Sequence, residues 1–89
     1  MSGKETTYDA IVRTEIAIAI LNRARAIVTA RVQELEEKDP AAAGRLRTRR
    51  REIVDLQHGL RVDDPEAVEE VIAVWGPRVD DGVRFWREF

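Results

Sequence analysis

The sequence predicts an all-α fold, a small helical bundle built on a long antiparallel helical hairpin. Three observations carry this. The stretch 11–35, IVRTEIAIAILNRARAIVTARVQEL, contains neither Gly nor Pro and is rich in Ala, Ile and Arg. Asp-Pro occurs twice, at Asp39-Pro40 and Asp64-Pro65, and each time a helical pattern follows. The composition is 44% apolar and 36% charged, with only five Gly and three Pro in 89 residues, which suits compact helices better than a sheet or a disordered tail. One domain spanning 1–89 is expected, near the size at which a single core barely suffices.

The first helix is expected over 7–38, capped by Thr6 or Thr7, with Asp9 in its first turn. At 100° per residue, Leu21, Val28, Val32 and Leu35 share a face with Ala10, Ala17 and Ala24. Val12, Ile16, Ile20 and Ile27 form a second stripe with Ala19, Ala26 and Ala30. The run 15–21 alternates like a strand, but its helical flanks and the lack of any turn signal favour helix. Two apolar faces need two sets of neighbours. The second stripe, Val12, Ile16, Ile20 and Ile27, is therefore expected to be the interface of a homodimer.

The Asp39-Pro40 corner ends this helix and opens the second, over 40–58, almost without a loop. There Leu46, Ile53 and Leu60 repeat every seven residues, with Ala42 and Leu56 between them, making a one-sided stripe to lie on the first helix. Gly59 is expected in the left-handed conformation behind the helix end, with Leu60 folding back. A third helix over 65–75 presents Val68, Val71, Ile72 and Trp75, and Gly76-Pro77 should end it. The segment 78–88 has room for a short fourth helix, weakened by Gly82.

Charge is segregated along the chain. Residues 1–39 hold six basic and seven acidic groups, 40–61 six and two, and 62–89 three and eight, so the net runs −1, +4, −5. A basic middle and an acidic end can neutralise each other, within a chain or between chains. The arginine run 45–51 is the strongest local feature. Arg47, Arg50 and Arg51 share a helix face. The ordinary reading of the run is a solvated face paired with Glu34, Glu36 and Glu37 across the corner or with the acidic last third. Beyond that, Arg47, Arg50 and Arg51 are candidates for an acidic protein partner. Nucleic acid is the alternative, with the arginines on phosphates. Against it stand the overall net charge of −2, the lack of aromatics among the arginines, and no spacing that frees a recognition helix.

The aromatics Trp75, Phe85, Trp86 and Phe89 crowd the last fifteen residues. Core packing is their ordinary role. Phe85, Trp86 and Phe89, lying among Arg84 and Arg87, would otherwise anchor a partner. His58, the lone histidine, suits the carbonyl end of the second helix.

Nothing here points to catalysis. There is no Cys, one Ser, no Gly-rich phosphate loop, and no ordered pattern of Arg, Lys and carboxylates such as a small helical mutase of the chorismate mutase shape would need. Neither a metal nor a cofactor is expected. Asp55 and Asp63 lack calcium-loop spacing, and Asp80-Asp81-Gly82 is too little for a site. With no membrane-length apolar run and no h-region behind MSGKETT, a cytoplasmic protein is expected. The expected function is that of a small non-enzymatic interaction protein, an adaptor, inhibitor or regulator presenting a helical surface to a protein partner.

Overall fold

The computed structural model describes the backbone of residues 3–89 and the side chains from Tyr8 onward. Four helices follow one another: α1 Gly3–Leu35, α2 Pro40–His58, α3 Pro65–Asp80 and α4 Gly82–Glu88. Among the described residues there is no strand. The fold is a small all-α bundle in which α1 packs against both α2 and α3. At 1.5 Å per residue α1 alone is roughly 50 Å long, and it sets the longest dimension of a 57 × 22 × 15 Å body.

Long-range polar contacts give the topology. Arg47 meets Glu36, Arg50 meets Thr29 and Gln57 meets Asn22, so α2 runs antiparallel to α1. Arg13 meets Glu69 and Arg23 meets Asp80, so α3 runs parallel to α1. The two sets of partners lie on opposite sides of one buried arc of α1: Ala17, Leu21, Ala24, Val28 and Val32. Ala43 and Ile53 from α2, Val68, Val71 and Val79 from α3, and Phe85 from α4 complete the core. Small Ala side chains on this arc let the helix axes approach closely.

Both Asp-Pro corners work as expected. Asp39 accepts a hydrogen bond from the Ala42 N–H at 3.1 Å, and Asp64 one from the Ala67 N–H at 3.3 Å. In each case Pro sits in the first turn, where its missing N–H costs nothing. Asp39→Ala should lower stability by about 1 kcal/mol, read as a shift of the urea midpoint at unchanged slope.

Four expectations are corrected. First, α1 begins at Gly3, upstream of the expected cap; the Thr6 and Thr7 side chains lie outside the described ones. It also stops at Leu35 rather than 38, because the chain turns over 36–38 to place Asp39 as a cap. Second, Gly59 is right-handed (φ −84°), and no described residue has positive φ. Its N–H bonds back to the Asp55 carbonyl at 3.0 Å and that of Leu60 to Gln57 at 3.2 Å, so the end tightens without a left-handed residue. Third, α3 passes through Gly76-Pro77 to Asp80, and α4 starts at Gly82 rather than 78. Interior Pro costs a hydrogen bond and ring strain. Continuing the helix buries Val79, brings Asp80 to Arg23 and sets Gly76 beside Ile20. The true stop is Asp81, whose side chain accepts from the N–H groups of Val83 and Arg84 and caps α4.

The fourth correction concerns the second stripe of α1. Ile20 and Ile27 are half-buried against the core of their own chain, because α3 runs along that side. Val12 is half-buried and only Ile16 is exposed, at 39%. These four residues are therefore not a free face awaiting a second copy.

Candidate protein-docking groove

The helix α4 has seven residues, too few to stand alone in water. Four aromatics hold it. Phe85 is fully buried, with ring centroids 6.4 Å from Trp75, 5.1 Å from Trp86 and 5.3 Å from Phe89. Glu88 then ties α4 to α3, since Arg78 donates to one carboxylate oxygen and Arg84 to the other, both at 3.0 Å. The hydrogen bond from Arg78, followed by that from Arg84, holds the Glu88 carboxyl below its ordinary value of 4.5. Glu69 is held low in the same way, gripped at 2.8 and 2.7 Å by Arg13. A carboxyl with a depressed folded-state pKa stabilises the fold above its unfolded pKa and loses that contribution as pH falls through the folded value. Stability should accordingly decline as pH drops below 4.5. Urea midpoints for the wild type and for Glu69→Gln/Glu88→Gln check this, because the double variant should show a shallower acid decline.

With α4 docked, its Trp86 faces the start of α2 across an open groove of about 590 Å³. Ala42, Leu46, Thr48 and Trp86 line it together with Arg31, Arg45 and Arg49. The Arg31 guanidinium lies 4.3 Å from the centre of the Trp86 ring, and that of Arg49 lies 4.4 Å from the centre of Phe89. Arg49 also donates to the Phe89 carbonyl. These contacts hold two planar cations at the rim. Arg31 and Arg49 each have one carboxylate a turn away on their own helix, Glu34 at 3.4 Å and Glu52 at 3.5 Å. Arg45 has no ion-pair partner among the described residues. The groove thus offers an apolar floor, an indole and three guanidiniums.

The residues proposed from sequence for partner binding do not assemble as one patch. Arg47 is spent on Glu36 at 2.8 Å and Arg50 on the Thr29 hydroxyl at 2.9 Å, on the side of α2 away from α4. Arg51 is exposed. Phe85 is interior, which corrects its place as a contact residue: it is the ring around which α4 folds. Trp86 and Phe89 are half-buried; Trp86 lines the groove, while Phe89 packs behind it under Arg49. Arg31, Arg45, Leu46 and Arg49 were missed. A signal existed, since Arg45 and Arg49 stand one turn apart beside Ala42 and Leu46. The Trp86 that completes the site is nearly forty residues further on.

A second hollow, about 210 Å³, lies further along the same divide between α2 and α3, lined by Leu56, Ala67, Glu70, Val71, Val74 and Trp75. His58 is exposed in the last turn of α2. No family model, characterised protein or solved structure matches the chain. Function therefore rests on the surface itself. No group of three or more metal-ligating side chains occurs among the described residues, and no helix there is long and apolar enough to cross a membrane.

Proposed function

We propose that this is a small non-enzymatic interaction protein, an adaptor, inhibitor or regulator, that docks an acidic helical segment of a protein partner. The observation that carries the reading is the groove of Arg31, Arg45 and Arg49 around Leu46 and Trp86. Arg and Trp are the residues that dominate binding energy at protein interfaces, and an apolar floor under a charged rim suits an amphipathic helix better than a phosphate backbone. The pairing of Arg47 with Glu36 and of Arg50 with Thr29 leaves the arginine run divided between two sides of α2. That division weighs against nucleic acid.

The test is a calorimetric titration with a helical peptide carrying Glu at i and i+4 and Leu at i+3, beside its Lys-substituted counterpart and a short DNA duplex. The acidic peptide should bind with a dissociation constant of about 10–100 μM, weakened about tenfold or more by Arg45→Glu/Arg49→Glu. Equal binding of the Lys peptide, or no effect of the double variant, would sink the reading. Tight duplex binding that falls steeply with salt would replace it with the nucleic-acid alternative.

A further inference from the structure

The groove and the second hollow both open along the cleft side of α2, at Ala42, Arg45 and Arg49 in the one and at Leu56 in the other. Both α2 and α3 lie on α1, and their backbones do not pack on each other. Phe89, with its ring centre 6.2 Å from that of Trp75 and the Arg49 guanidinium 4.4 Å over its face, stands between the Trp86 end and the hollow at Leu56 and Val74. Along α2, Arg49 and Leu56 are about 10 Å apart at 1.5 Å per residue. The two ends carry opposite charge. At one stand Arg45 and Arg49, an i,i+4 pair on α2; at the other stand Glu66 and Glu70, an i,i+4 pair on α3, with Glu70 lining the hollow.

Like charges at this spacing destabilise their own helix. Arg49 is relieved by Phe89 and Glu66 by its place in the first turn of α3, while Arg45 and Glu70 have no such contact among the described residues. Glu66, Glu70 and Arg45 have no ion-pair partner among the described residues, and Arg49 has only Glu52 on its own helix. Apolar surface is also left in the cleft, with Leu56 and Val74 each 38% exposed. The body is 15 Å across its thinnest direction, and α1 covers one side of it only.

We infer that a second copy of this chain closes the cleft: two molecules pack cleft to cleft about a two-fold axis, with Arg45 and Arg49 of each on Glu66 and Glu70 of the other. The inference rests on reading the groove as a protein-docking surface and names its first occupant. A cleft that is basic at one end and acidic at the other needs a partner with the reverse order, and a half-turn of the same molecule supplies it. One rotation satisfies both charge pairs and covers Leu56, Val74 and Trp86 twice over. An acidic helix from another protein would then compete for the basic end.

The experiment is light scattering with three proteins: wild type, Arg45→Glu/Arg49→Glu, and Glu66→Arg/Glu70→Arg. At roughly 0.1 mM and low salt the wild type should have twice the 10.2 kDa chain mass, and each variant alone should be monomeric, its association weakened about a hundredfold or more by facing like charges. Mixed in equal amounts, the two variants should recover the dimer, since every like-charge contact becomes an opposite one. All four changed positions are exposed, so each variant should keep the fold, which circular dichroism checks. A monomeric wild type, a dimer that survives Arg45→Glu/Arg49→Glu, or a mixture that stays monomeric overturns the inference. If the wild type is monomeric yet binds the acidic peptide through Arg45 and Arg49, the docking reading stands and only the second copy falls. If neither association occurs, both fall.

Discussion

Phe85→Ala should cost about 3–5 kcal/mol of folding stability, the range for truncating a buried Phe. A domain of this length has on the order of 5–13 kcal/mol in total. The side chain is fully buried and three other aromatic rings pack on it. Those rings are also the main reason that a seven-residue helix stays docked. Without Phe85, α4 should detach from α3 before the rest unfolds, taking Trp86 into water and uncovering Trp75. Urea titration followed by tryptophan emission reads both effects: a large drop in midpoint and a red shift at low denaturant. Val83→Ala, at a position 75% exposed on the same short helix, should change stability by less than about 0.5 kcal/mol. A midpoint for Phe85→Ala within about 1 kcal/mol of wild type would show that α4 is not part of the cooperative core. In that event the groove would lose its Trp86 wall as well.

The second large effect is expected at Leu21. Its side chain is fully buried on the arc of α1 between the lines of contact with α2 and α3. Asn22 and Arg25 beside it reach Gln57 of α2, while Ile20 and Arg23 meet Gly76 and Val79 of α3. Leu21→Ala should cost about 2–5 kcal/mol, towards the upper end because Ala17 and Ala24 on either side are too short to fill the hole. Melting followed by circular dichroism should show a Tm lower by at least about 10 °C. Ile16→Ala is the informative contrast, being 39% exposed on the stripe first read as a self-interface. It should cost far less and independently of protein concentration. A loss at Ile16 equal to that at Leu21, growing on dilution, would restore that stripe as a contact between copies.

The arginine run shows why a site is harder to read than a helix. In sequence its residues look equivalent, and the wheel separates Arg47, Arg50 and Arg51 from Arg45 and Arg49 without saying which side meets water. That was decided by Thr29 on α1, by Glu36 in the turn after it and by Phe89 after α4. Trp86 and Phe85 are adjacent in sequence and similar in chemistry. Only the direction in which α4 docks puts one inside and the other at the rim.

Helix identity, the two Asp-Pro corners and the buried stripe of Leu21, Val28 and Val32 were legible because they depend on neighbours within one or two turns: an Asp oxygen and an N–H three residues on, or side chains repeating on one face. The run of α3 through Pro77, the covering of Ile20 by Gly76, and the meeting of Arg49 with Phe89 depend on groups forty or more residues apart. Local propensity is a weak term, about 3 kcal/mol even for Pro in a helix. Burial and ion pairing across the bundle outweigh it. The sequence alone therefore determined that the chain is helical and turns at its two Asp-Pro corners, while the tertiary structure alone decided where α3 ends, which arginines pair across the bundle and which stand around Trp86.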